Sequence, residues 1–215
     1  MVEQWTVNPL VASSNLAPGD PSKESLVKNF IFVLTTFLSA TVYSLEAIQP
    51  VDTMKKAEAV LQEKKIVGIK VRTNNQREMD PLKGRILPCL QKYFHQNLAV
   101  QIPNRVNPGT TYCIYTDYES DHQGDYTYFV GEEVSSFENV PLSLETTTIP
   151  QQKYIKFTNG PGAMPDVVRK PWMQIWQMSS KEMGGDRSYL ADFEIYDERA
   201  QDHQNIVLDI YIGVD

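Results

Sequence analysis

Apolar and polar residues alternate with period two in several stretches, each of which reads as a strand because successive strand side chains point to opposite faces. In Ala191-Asp192-Phe193-Glu194-Ile195-Tyr196 the alternation puts Phe193 and Ile195 on one face and Glu194 and Tyr196 on the other. A second strand follows at Leu208-Asp209-Ile210-Tyr211-Ile212. The same pattern occurs earlier at Tyr112-Cys113-Ile114-Tyr115-Thr116-Asp117. Ile114-Tyr115 and Asp121-His122-Gln123 recur 81 positions on as Ile195-Tyr196 and Asp202-His203-Gln204, and Gly131 and Gly213 close their strands with one extra residue. Agreement in strand pattern, loop and closing glycine predicts a tandem repeat.

The rest of the chain fills out two copies of one module. Ile66 to Arg72 reads as a strand, and Asp80-Pro81 as a helix start with an acidic cap and a first-turn proline. Ile86, Leu87, Leu90, Tyr93 and Phe94 form a helical apolar stripe, and strands from Thr111 to Tyr118 and Asp125 to Val134 complete β-α-β-β. In the second copy Lys153 to Phe157 is a strand and Asn159-Gly160-Pro161-Gly162 a turn. A helix over Asp166 to Met178 carries Val168, Trp172, Ile175 and Trp176, with Pro171 early enough to be tolerated or to kink it. Gly184-Gly185 breaks the chain before the last two strands. The fold class is therefore α+β, a pseudo-twofold duplication with halves at 65–136 and 150–215.

The first part of the chain reads differently. Residues 48–64 form a linker or lead-in helix, with a short helical pattern from Met54 to Leu61. Lys28 precedes the uncharged run Phe30 to Ala40, and small residues near Ser44 and Ala47 could serve a signal peptidase. Residues 27–47 thus read as a secretory signal, which would place the protein in the periplasm or outside the cell. Without that signal the location is cytoplasmic, and an uncleaved segment extended to Ala47 would just reach a membrane span. Residues 1–26 read as a non-native or disordered extension. Ser13-Ser14-Asn15-Leu16 is what one frame of a transfer-RNA gene encodes, so the natural start is expected near Leu26 or Val27.

Composition removes several functions. A net charge of −7 argues against nucleic-acid binding, which draws its affinity from clustered Lys and Arg. Lys55-Lys56 and Lys64-Lys65 are diluted by Glu58 and Glu63 and read as a solvated helix face. Cys89 and Cys113 give no disulfide framework and read as two buried thiols. His95, His122 and His203 are scattered, so no metal is expected, and no nucleophile elbow or phosphate loop calls for a cofactor. Asp192 and Asp209 read as surface or loop-anchoring carboxylates.

The strings Tyr115-Thr116-Asp117-Tyr118-Glu119-Ser120-Asp121, Gly124-Asp125-Tyr126, Trp172 with Ile175-Trp176, Ala191 to Asp197 and Ile210 to Val214 resemble the integron-cassette effector-binding proteins. Those belong to the GyrI-like, or AraC-type effector-binding, superfamily. The resemblance spans about 65–215 and implies two modules side by side, helices packed on antiparallel sheets, and a ligand cleft between modules. It places a glutamate in the drug pocket at the strand position that Glu194 matches. Relatives are often fused to a helix-turn-helix, but nothing before Lys65 supplies two suitable helices, so direct transcriptional control is not expected.

The chemistry of such a cleft follows from its residue types. A carboxylate in an apolar pocket is costly unless paired, and ring faces attract cations. Glu194 among Tyr115, Tyr196, Tyr211, Trp172 and Trp176 would therefore select lipophilic, cationic small molecules. The two tryptophans lie four apart on one helix face, which equally suits a core role. A stand-alone binding module is the favoured reading over an enzyme. The alternatives are a hydrolase of strained electrophiles, with Glu194 activating water, and a protein-binding inhibitor of the gyrase-inhibitor type.

Overall fold

A computed structural model describes residues 54–215, so the expectations for 1–53, including the extension, the signal and the start of the lead-in segment, lie outside the described residues. Among the described residues eight strands form one antiparallel sheet in the order β1-β6-β8-β7-β3-β4-β2-β5. They are β1 (Lys55–Leu61), β2 (Lys64–Thr73), β3 (Thr111–Thr116), β4 (Tyr126–Val134), β5 (Glu145–Ile149), β6 (Gln152–Gly162), β7 (Ala191–Tyr196) and β8 (Ile206–Val214). The helices are α1 (Asn75–Glu78), α2 (Ile86–His95), α3 (Asp166–Gln177) and α4 (Ser180–Met183).

The first half contributes β3, β4 and β2, and the second contributes β7, β8 and β6. They meet edge to edge where β3 pairs with β7, Cys113 facing Glu194 and Ile114 facing Phe193. The sheet is thus continuous across the seam, with β5 beyond β2 and β1 beyond β6. Each half thus contributes three neighbouring strands, β2-β4-β3 and β7-β8-β6.

Helices α2 and α3 lie on one face of the sheet, α2 against β2 and β4, α3 against β6 and β8. Helix α2 buries Ile86, Cys89, Leu90 and Tyr93, and α3 buries Val167, Val168, Pro171, Trp172 and Ile175, the spacing of one helical face. Both join a single core with Val67, Val130, Tyr196, Ile210 and Ile212 from the sheet. The opposite face has its own aromatic cluster, including Tyr112, Phe129, Tyr154 and Phe193. Among the described residues the main helix contacts fall on β2, β4, β6 and β8, on either side of the β3–β7 seam.

Two glycines facing each other let β2 and β4 approach closely. A Cβ on Gly131 would sit 2.2 Å from the carbonyl oxygen of Val67, and one on Gly68 would sit 1.9 Å from that of Val130. The closing glycine noted in the sequence is therefore a place where another backbone occupies the side-chain volume.

Four local expectations are corrected. Met54 to Leu61 is not helical: Lys55–Leu61 is edge strand β1, hydrogen-bonded to Gln152–Thr158 of β6. Pairing with a neighbour distant in sequence outweighs the weak helical pattern, and Lys55-Lys56 and Lys64-Lys65 consequently sit on strands. Asp80 does not start the main helix. Its carboxylate and carbonyl close a turn onto Leu82, Lys83 and Gly84, and α2 begins at Ile86. Asn159 to Gly162 belongs to β6 and pairs with β8 through an irregularity. Asp192 and Asp209 are buried, although both do anchor neighbouring segments. Asp192 accepts from Arg187, Tyr118 and the Gly213 amide, and Asp209 from Arg199, Lys156 and Thr158.

Two other expectations match what is seen. The break at Gly184 is a left-handed residue, φ 101°, that ends α4 after a Ser179–Glu182 capping box. Cys89 and Cys113 are buried thiols with no disulfide between them, and burial pushes the Cys89 thiol up to about 12.

Candidate functional site

Glu194 sits in the middle of β7, on the helix-bearing face, and is completely buried. Its Oε1 accepts from Trp172 Nε1 at 2.6 Å and from the Tyr115 hydroxyl at 3.0 Å, while Oε2 accepts from the Tyr196 hydroxyl at 2.7 Å. Tyr196 reaches it because residues two apart on a strand share a face. Tyr115 reaches it from β3 across the seam, and Trp172 reaches down from α3.

Burial raises the carboxyl above its ordinary value, and the donors from Tyr196, Trp172 and Tyr115 oppose that shift. Removal from water is the larger influence, so the proton is held more tightly than in solution. The hydroxyls of Tyr115 and Tyr196 are raised well above ordinary tyrosine, first by burial and then by the negative charge of Glu194.

Above the seam is a small hollow of about 30 Å³, partly open to solvent. Its walls are Asn75 and Glu78 of α1, Ile86 of α2, Tyr115 of β3, Tyr118 and His122 of the β3–β4 loop, Tyr126 of β4, and Arg169, Trp172 and Trp176 of α3. The rings interlock edge to face: Tyr115 against Trp172 at 5.0 Å and against Tyr126 at 5.6 Å. Trp172 and Trp176 lie 6.1 Å apart, and His122 stacks on Trp176 with planes 12° apart.

Glu194 is not itself a wall residue. It lies directly behind Tyr115 and Trp172, and both its Oε1 donors are walls of the hollow. A phenol or indole that donates to a carboxylate is polarised so that electron density moves toward its ring, which strengthens the attraction of the ring face for a cation.

The sequence-predicted residues divide cleanly. Glu194, Tyr196, Tyr115 and Trp172 form one hydrogen-bonded unit, and Trp176 lines the hollow beside them. Tyr211 does not belong. It stacks on Phe193 at 4.6 Å on the opposite face of the sheet, with the Lys156 ammonium 5.8 Å from its ring. In the β7–β8 register Tyr211 faces Phe193 while Glu194 faces Ile210, so period-two alternation turns Tyr211 away.

Sequence reasoning missed Tyr118, Tyr126, His122, Glu78, Asn75, Ile86 and Arg169 as wall residues. Tyr118 and Tyr126 lay within the strings that carry the family resemblance. Glu78 had no sequence signal. It accepts from the amides of Arg85 and Ile86 at 2.8 and 3.2 Å and from the Thr73 hydroxyl, capping α2 from a separate segment.

Among the described residues no cluster of three His, Cys, Asp or Glu side chains is arranged to hold a metal ion.

Comparison with known proteins places this geometry. The model of the integron-associated effector binding proteins matches residues 60–214. The Bacillus subtilis (strain 168) protein YobU, a candidate transcriptional regulator, is 26% identical over 152 residues, spanning 70% of this chain and 92% of YobU. An integron cassette protein from the mobile metagenome of Vibrio cholerae is similar in structure, with a TM-score of 0.59, 25% identity, and coverage of 74% of this chain and 95% of that one. SAV2435, solved with tetraphenylphosphonium bound, has a TM-score of 0.60 at 17% identity over 75% of this chain and 94% of its own, a likeness of fold.

Proposed function

The chain belongs to the family of integron-associated effector binding proteins, and from that premise we propose that its effectors are lipophilic organic cations held in the hollow over the β3–β7 seam. The observation that carries this reading is the Glu194 carboxylate, buried and bound by Tyr115 and Trp172, the rings that wall the hollow.

Two attractions add. The rings supply apolar contact and a negative face, worth ~0.5–2 kcal/mol per well-placed cation–ring pair. The carboxylate supplies a charge whose field crosses the rings in a site of low polarity, where it is screened far less than in water. A guest cation in turn compensates for the loss of solvent around Glu194, which otherwise falls only on hydrogen bonds. That SAV2435, alike in fold, was solved with tetraphenylphosphonium supports the choice of ligand class.

The test is a fluorescence titration, since Trp172 and Trp176 report on the hollow. Tetraphenylphosphonium should quench them saturably, and tetraphenylborate, the same shape with the opposite charge, should not. Equal binding of the two ions, or binding of neither, rejects the proposal. The hydrolase reading requires Glu194 to touch a water in the hollow and draws no support from a carboxylate placed behind its walls. If residues 27–47 act as a signal, the same binding would serve to sequester toxic compounds outside the cytoplasm.

A further inference from the structure

The polar groups that line the hollow are largely spent on hydrogen bonds within the protein. Tyr115 and Trp172 donate to Glu194, Tyr118 donates to Asp192, Tyr126 donates to Asn75, and Glu78 is filled by amides and a hydroxyl. Arg169 differs. Its Nη2 makes a 3.2 Å pair with Asp166 on the same helix, and its Nε is buried with no hydrogen-bond partner.

Arg169 lies three residues before Trp172 and seven before Trp176 on α3, so all three share the helix face that walls the hollow. Its side chain is 29% exposed and held by an ion pair to a half-exposed aspartate. Such a pair is weakly held. Because Arg169 is itself a wall of the hollow, releasing this pair frees its guanidinium to meet a ligand there. A buried donor without a partner is an unfavourable arrangement that an incoming acceptor relieves.

We propose that Arg169 recognises a carbonyl or carboxylate oxygen on the ligand, so that the effector is an ambiphilic compound with a lipophilic cationic end and an oxygen acceptor at the other. This rests on the cation reading above and refines it. The cationic end lies on the rings backed by Glu194, and the acceptor end meets the guanidinium of Arg169. The same geometry explains how a cation-binding hollow tolerates an arginine in its wall.

The test uses two triphenylphosphonium probes of matched length, one carrying a pentyl chain and the other a butyl chain that ends in a carboxylate. Both are titrated against the intact protein and against Arg169→Met and Arg169→Lys, with tryptophan fluorescence as readout. The intact protein should prefer the carboxylate probe by about tenfold, the worth of a charge-assisted hydrogen bond. Arg169→Met should abolish that preference, so that the two probes bind alike. Arg169→Lys, which keeps a charge but lacks Nε, should retain less than a third of the preference.

Equal affinity of the intact protein for the two probes overturns the inference and leaves the cation reading standing. A preference that survives in Arg169→Met overturns it as well, and full retention in Arg169→Lys assigns it to charge alone and removes the role of Nε. Failure of the intact protein to bind either probe rejects the cation reading itself, and the inference with it.

Discussion

Trp172 Nε1 lies 2.6 Å from Glu194 Oε1, tying a helix to the central seam of the sheet through an indole that can only donate. The indole therefore always presents its proton to Oε1 and holds that oxygen as an acceptor. Its other edge forms part of the wall of the hollow, so whatever rests on Trp172 is close to the buried charge.

Glu194→Gln keeps the shape of this arrangement. The amide oxygen can accept from Trp172 and Tyr115, and the amide nitrogen can donate to a Tyr196 hydroxyl turned to receive it. The variant should fold, and affinity for tetraphenylphosphonium should fall by about tenfold to a hundredfold, as expected for removing a unit charge behind the rings. Calorimetry with a neutral aromatic of similar size should show little change. A variant that binds the cation as well as the parent would rule out the charge as the source of selectivity.

Cation affinity should depend on pH through the same group. Glu194 attracts a cation only when ionised, and its folded-state value is raised above 4.5. Affinity should therefore weaken as pH falls through that raised value, and binding should release protons near it, seen as a buffer-dependent enthalpy. Glu194→Gln should flatten this dependence.

Stability moves in the opposite sense. A carboxyl raised on folding binds its proton more tightly in the folded than in the unfolded chain, so its contribution to stability is fully present below 4.5 and is lost as pH rises through the folded-state value. The melting temperature of Glu194→Gln relative to the parent should accordingly improve from acid to neutral pH.

Tyr196→Phe removes a donor from Oε2 without altering a wall residue. The loss should cost about 1–3 kcal/mol and raise the Glu194 carboxyl further. Titration with the cation across pH should show the midpoint shifted upward, with affinity at alkaline pH close to that of the parent. A uniform loss at every pH would mean that Tyr196 supports packing alone.

Glu78→Ala should destabilise the fold by about 1–3 kcal/mol, because it leaves the Arg85 and Ile86 amides and the Thr73 hydroxyl without their acceptor. Thermal denaturation measures this directly. Gly131→Ala should be worse, about 4 kcal/mol or more, since its Cβ would overlap the Val67 carbonyl oxygen at 2.2 Å. Soluble expression of a stable Gly131→Ala protein would show that β2 and β4 can separate there.

Local pattern alone was enough to mark both main helices and the core strands, whereas the family resemblance singled out Glu194 and its aromatic neighbours. Phe193, Glu194 and Tyr196 sit on the faces that alternation predicts, and the apolar stripe of Ile86, Leu90 and Tyr93 is buried as its spacing requires. These features are encoded within a few residues of one another, where strand and helix periods act directly.

Register, pairing across long separations and the closing of one segment onto another depended on the assembled sheet. Tyr211 looks like a partner for Glu194 until the β7–β8 register sets it opposite Phe193. The segment Lys55–Leu61 becomes a strand because β6 offers it an edge, and Glu78 meets the start of α2 only because the chain turns back between them. The sequence by itself determined which residues share a face along the two main helices and the core strands. Tertiary structure decided which of those faces meet, because the contacts that do so join residues far apart in the chain and carry no local period.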